Sequence, residues 1–424
     1  MTVAERIAAL RQQMNFSKLS AYVVPSADPH QSEYVAATWK RRKFISGFGG
    51  SAGTAAITME QGGLWTDSRY FLQGEQELAG SGLELFRMGE AGTPELEEWL
   101  AQVVRPGQRV GVDPKVFSAA GYDQLEGVLQ AHDIELVAVE QDLVERVWGA
   151  DRPAMPDGPL RVHSLEFAGE SVESKLSRIA EAMGNNGTDA YVLAALDELA
   201  WVFNLRGSDV NFNPVFIAFA VIEPEGARLF VDLHKVGTAE REALPENVLL
   251  QPYEALDDYL SALGGSQASV WIDPGTVNAH VRRVLADGGA RVVEASGVIA
   301  GWKATKNDAE LAGFRLAHQR DGVSMVRFLR WLDEAAGNVE LSEMSVWAKL
   351  QEFRAVHPAF VALSFNSIVG FAGHGAIVHY AVSEESNISV TVGDLLLVDS
   401  GGQYLDGTTD ITRTVALGPP TAEQ

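Results

Sequence analysis

The chain contains no cysteine among its 424 residues. That excludes a disulfide framework, a thiol nucleophile and a zinc-thiolate site, and it suits a reducing compartment such as the cytoplasm without demanding one. Positive charge is scarce. Against 57 acidic side chains stand 33 Lys and Arg, a net charge of -24, and such a surface repels nucleic acid and anionic membranes, so neither is expected as a partner. The one compact basic run, Lys40-Arg41-Arg42-Lys43, is too short to overturn this and reads as a solvated element end. No apolar run approaches the length of a membrane span. Met1 to Arg11 reads as an amphipathic helical start without a continuous apolar core, not as a signal peptide.

What is present is enough apolar residue, 46% of the chain, for sizeable cores, over a length too great for one ordinary domain. An internal repeat gives the plan. Arg6-Ile7-Ala8 recurs as Arg178-Ile179-Ala180, Ala21-Tyr22-Val23 as Ala190-Tyr191-Val192, Leu64-Trp65-Thr66-Asp67 as Leu229-Phe230-Val231-Asp232, and Val112-Asp113-Pro114 as Ile272-Asp273-Pro274. The ordered set argues for two copies of one helix-strand unit rather than a short-period solenoid. The breaker-rich Asp151 to Pro159 reads as a linker between them. Strands such as Ala55 to Thr58 and Val215 to Ile222, mixed with helical periods, predict an α/β sandwich for each copy. The expected domains are 1–155, 156–302 and 303–424. The third opens on a long helix capped by Asn307 and Glu310, with Leu311, Phe314, Val323, Val326, Phe328, Leu329 and Leu332 on one side and a possible kink near Gly322.

Chemistry concentrates near the C-terminal end, in Asp399-Ser400-Gly401-Gly402-Gln403-Tyr404-Leu405-Asp406-Gly407-Thr408-Thr409-Asp410. Leu395 to Val398 reads as a buried strand, Gly401-Gly402 as a turn, and Ile411 to Leu417 as an alternating return strand. Asp399 and Asp410 then sit where adjacent strands aim both carboxylates at one point. Two carboxylates so held repel unless a proton or cation lies between them, and hard oxygen ligands suit Mn, Mg or Ca. The competing reading is that Asp and Gly simply build hairpin turns here.

This string closely resembles the first metal-ligand segment of the pita-bread metallopeptidases, above all the Xaa-Pro aminopeptidases (aminopeptidase P). Gly375 to Tyr380 resembles that family's short strand with an active-site histidine, here His379, whereas His374 departs from the pattern. Ala21 to Ser26, His30 to Tyr34, Ser46 to Thr54 and Trp65 to Leu72 resemble the first domain of the long, three-domain subfamily. Ala200 to Asp209 with Asn213 to Phe216 resembles its second.

The resemblance implies two creatinase-N-terminal-like α/β domains followed by an incomplete pita-bread catalytic domain. It implies a pair of divalent ions, Mn by preference, with Asp399 chelating one, Asp410 bridging both and His379 contacting substrate. The implied reaction removes the N-terminal residue from peptides with proline second, by attack of a hydroxide bridged between two Mn ions. It further implies a cytoplasmic enzyme and a homodimer, to which exposed Trp331 and Trp347 are candidate contributors. Arg69 is a weaker candidate for substrate contact, since an Asp-Ser-Arg turn explains it equally well. The Gly-rich Phe48 to Gly53 lacks the Gly-Lys-Ser/Thr ending of a phosphate loop and reads as a tight turn.

The family completes its site with one further histidine and two glutamates, and after Asp410 this chain offers only Glu423. The expectation is therefore of a chain inactive by itself: a fragment, one partner of a split enzyme with a separate C-terminal piece, or a relic. The first two are favoured because Asp399, Asp410 and His379 are all present. The alternative functions are a non-catalytic binding or dimerisation module and, among enzymes, a prolidase; a creatinase-type amidinohydrolase fits less well.

Overall fold

The computed structural model describes residues 1–424, which fall into two compact units: 1–162 with 171–210 and 215–304, and 163–170 with 211–214 and 305–424. No helix is long and apolar enough to cross a membrane.

The first unit holds two six-stranded mixed sheets with the same strand order. From one edge the first runs Glu84–Arg87, Gly62–Thr66, Thr54–Thr58, Ala21–Pro25, Arg109–Val112, Glu135–Ala138. The second runs Val248–Pro252, Gly226–Val231, Ala218–Glu223, Ala190–Leu193, Ser269–Ile272, Arg291–Glu294. In each, the central strand is antiparallel to one neighbour and parallel to the other. The central strands are apolar at every position because both faces are covered. Tyr22 and Val24 enter one core while Ala21 and Val23 enter another, and Tyr191 with Leu193, and Ala190 with Val192, repeat that division.

The recurring aspartates have a local job. Asp67 Oδ1 accepts from the Arg69 amide at 3.1 Å and Asp232 Oδ1 from the His234 amide at 3.0 Å. Asp113 and Asp273 likewise cap the turns after their strands, accepting from Lys115 and Gly275. The two copies meet reciprocally: Ala119 donates to Val277 O and Ala279 to Phe117 O, both at 2.9 Å, while Ala120 donates to Pro274 O and His280 to Pro114 O. A single offset of 160 residues relates these partners, which is the mark of a local two-fold.

The basic run is not a solvated end. Arg41 and Arg42 are 1% and 5% exposed. Arg41 pairs with Asp113 and Asp142, which lie 72 and 101 residues away, and Arg42 donates to Phe48 O, Gly50 O and Ser26 Oγ. Those carbonyls make the Gly-rich segment a turn tied down by an arginine.

In the second unit one helix, Asp308–Ala335, runs unbroken through Gly322, opened by the Asn307/Glu310 capping box. Its buried stripe differs from the expected one. Phe328 and Leu332 are buried, but Leu311, Val323 and Val326 are 38%, 48% and 67% exposed. The stripe instead passes through Gly313, Ala317, Asp321 and Ser324, because a hairpin lies so close that a Cβ on Gly313 would meet Asp406 O at 2.3 Å. Phe328, Leu332, Val346, Leu350, Val369, Leu396 and Val398 form the core between this helix, the helix Glu343–Ala355 and a three-stranded antiparallel sheet. Trp331 and Trp347 lie half-buried against that core rather than exposed.

Candidate metal centre

The sheet that carries the site orders Ile368–Phe371, Leu395–Ser400 and Ile411–Ala416. Alternation along its middle strand buries Leu396, Val398 and Ser400 and puts Asp399 on the opposite, more open face. Asp399 pairs in register with Thr412, and Thr412 Oγ1 donates to Asp399 Oδ1 at 2.7 Å. Asp410 immediately precedes the return strand, and its carboxyl faces that of Asp399. Partial burial first, then the charge of Asp399, then a hydrogen bond with it, push the Asp410 carboxyl above its ordinary value. Neither carboxylate has a cationic side chain in ion-pair range. This is the arrangement in which a divalent cation relieves a repulsion, and two hard carboxylates fit such an ion as part of a donor set. No group of three or more His, Asp or Glu gathers around it.

The reversal between the two strands is not at Gly401-Gly402. Gly402–Tyr404 is itself a strand, pairing with Phe360–Leu363 and Gly407–Thr408, and the chain turns at Leu405-Asp406. Gly401 is needed for space: a Cβ there would lie 2.0 Å from Thr409 O and 2.1 Å from Ser364 Oγ. Gly402 and Thr409 close the excursion, the Gly402 amide donating to Thr409 Oγ1 at 3.0 Å and the Thr409 amide to Gly402 O at 2.9 Å. At its tip Asp406 takes both oxygens to Arg320 at 2.6 Å, in keeping with a turn residue and not a ligand.

His379 lies on no strand. The segment is a 3-10 turn, Ala372–Ala376, followed by a bend in which His379 is exposed with φ of 57°. A Gly-Ala-Ile-Val run reads as extended, but it is pinned from outside by a residue that sequence reasoning passed over. Glu343, fully buried, accepts from the Phe371 amide at 2.8 Å, His374 Nδ1 at 2.9 Å and Tyr380 Oη at 2.9 Å. His374 is thus a carboxylate partner through Nδ1. Arg354 and Asp321 were passed over too. Arg354 donates to Asp321 and to Ser400 Oγ, and Tyr404 donates to Asp321 Oδ1, so the residue beside each end of Gly401–Gln403 is anchored to one buried ion pair. Arg69, in the first unit, forms a two-point pair with Asp67 at 2.8 and 2.7 Å, which supports the turn reading of that arginine.

Two family models described as Creatinase/Prolidase N-terminal domain match 6–147 and 151–310, and Metallopeptidase family M24 matches 312–424. The chain is 40% identical over 430 residues to a probable Xaa-Pro aminopeptidase P of Aspergillus clavatus, covering 99% of this chain and 65% of that one. It is 39% identical over 458 residues to Aminopeptidase P2 of Arabidopsis thaliana, covering 100% of this chain and 64% of the relative. A crystal structure of X-prolyl aminopeptidase from Caenorhabditis elegans, described as a cytosolic enzyme with a di-nuclear active site, superposes with a TM-score of 0.95 at 30% identity over 100% of this chain and 71% of that chain. The chain belongs to the Xaa-Pro aminopeptidase P family. As a member of it, it carries two creatinase-type N-terminal domains and a metallopeptidase domain. It spans just under two thirds of the length of the two relatives from Aspergillus and Arabidopsis.

Proposed function

We propose that Asp399 and Asp410 are ligands of a two-metal peptidase site, with Mn the preferred ion, that removes the N-terminal residue from peptides bearing proline second. The observation that carries this is the facing pair itself: one carboxylate on a strand and one just before its neighbouring strand, unpaired by any cation, the second pushed up by burial and then by the first. When bound, a pair of divalent ions supplies an activated water and polarises the scissile carbonyl. The chain's own residues do the positioning. Thr412 holds one oxygen of Asp399 and so fixes the direction of the other. Asp410 stands at the open end of the strand pair, within reach of the same point. Glu343 anchors both ends of the bend that displays His379, through Phe371 and Tyr380, which suits a substrate-contacting imidazole. A proline in the second position offers no amide N-H, so its recognition rests on ring shape.

With two facing donors and no group of three or more His, Asp or Glu around them, this chain is expected to bind Mn weakly. A cytoplasmic location is proposed on the likeness to the cytosolic enzyme of Caenorhabditis elegans, and self-association on the family resemblance of the sequence alone. The test is titration with Mn(II) followed by electron paramagnetic resonance. The chain should bind, and D399N and D410N should each bind about tenfold or more weakly. Equal Mn binding by the wild type and both variants refutes the assignment.

A further inference from the structure

In a chain with 24 excess negative charges, one recess of about 460 Å³ gathers cations instead. Arg6, Lys40 and Lys43 line it, together with Phe44, Trp148 and Asp151. The basic run divides here: Arg41 and Arg42 turn inward to carboxylate and carbonyl partners, while the two flanking lysines, three residues apart, turn to the recess. Neither lysine's ammonium has an ion-pair or hydrogen-bond partner, and Asp151 forms no ion pair with any of the three cations. Burial, then the nearby charge of Lys43, push the Lys40 ammonium below its ordinary value. Arg6 gives Nη1 to Phe44 O at 2.7 Å but leaves a buried Nε without a partner.

Isolated surface lysines need no explanation. Three cations lining one concavity do, because their mutual repulsion is relieved by an anion. Two ammonium groups and a guanidinium suit a compact oxyanion carrying two charges better than a single carboxylate. The aromatic wall does not suit a nucleobase: Phe44 is already stacked on Trp148 at 4.5 Å and lies under the Arg6 guanidinium at 4.6 Å. We infer that this recess binds a phosphate-class dianion, either free phosphate or the terminal group of a phosphomonoester. The site is separate from Asp399 and Asp410 and independent of the peptidase reading.

Calorimetric titration of the full chain with inorganic phosphate, and separately with glycerol phosphate, at low ionic strength tests this. Saturable binding of one equivalent is expected, weakened about tenfold by K40Q or K43Q and more by both together. The melting temperature should not fall, since neither ammonium holds a hydrogen-bond or ion-pair partner that the substitution would remove, and K40R/K43R should keep the affinity. Competition between the two probes assigns the phosphoryl group as the recognised element, whereas binding of phosphate alone assigns the free ion. Absence of saturable binding, or an affinity unchanged in K40Q/K43Q, overturns the inference.

Discussion

Replacing Gly401 by alanine adds one methyl group at the point where the two halves of the candidate site cross. That methyl would sit 2.0 Å from Thr409 O and 2.1 Å from Ser364 Oγ, where ordinary contacts begin at 3.4 Å. Both atoms would have to retreat by roughly 1.3 to 1.4 Å. Neither can swing away freely, because Ser364 Oγ donates to Thr409 O at 2.8 Å and the Ser364 amide donates to Gly401 O. Forced overpacking of backbone at such a site costs about 3 kcal/mol, or roughly 10 °C in the melting of a unit of this size. Thr409 is bonded to Asp410, so the displacement should also separate the carboxylates and weaken Mn(II) binding. Circular dichroism melting, with hydrogen exchange of Leu395–Ser400 to locate the loss, measures the first effect, and metal titration the second. Gly373→Ala is the control, since a Cβ there meets nothing within 4 Å. If G401A melts within about 2 °C of the wild type, the close crossing is not a constraint and the argument fails.

Arg354→Met should destabilise the second unit by about 3 to 5 kcal/mol in urea titration, because it strands the buried carboxylate of Asp321; R354M/D321L should recover much of that loss. Burial, and then Asp197, raise the Glu198 carboxyl to about 7 from 4.5. Its folded state therefore holds the proton longer than the unfolded one, so stability falls as pH climbs from about 4.5 to 7, and E198Q should match the wild type below pH 5 yet exceed it at pH 8 by on the order of 3 kcal/mol. Thr412→Val removes the hydroxyl that fixes Asp399 and should weaken Mn(II) binding about tenfold while leaving thermal melting unchanged.

Much of the fold was legible because it rests on local signals. The recurring strings fall on corresponding helices, strands and turn caps, and the capping box at Asn307 opens the helix where the side-chain pattern places it. The misread charged residues share one physical cause, a polar or charged partner far along the chain. Arg41 is buried by Asp113 and Asp142, Asp321 by Arg354 33 residues on, and Glu343 by His374 and Tyr380. Hydropathy assigns such residues to the surface, and it assigns the helix stripe to Leu311 and Val326 when close backbone approach actually demands Gly313 and Ala317.

The string from Asp399 to Thr412 was informative for a reason visible only in three dimensions. Spacing places two carboxylates eleven residues apart but does not bring them together; the excursion between them does. Ser400 hangs on Arg354, Gly401 leaves room for Thr409, Asp406 is clamped by Arg320, and Thr409 closes back on Gly402 before Asp410 emerges. The register that results puts Asp399 opposite Thr412 and Ser400 opposite Ile411. One residue more or fewer in that excursion would turn either Asp399 or the return strand to the wrong face. The glycines, Asp406 and Thr409 therefore belong to the proposed metal centre as much as its two proposed ligands do.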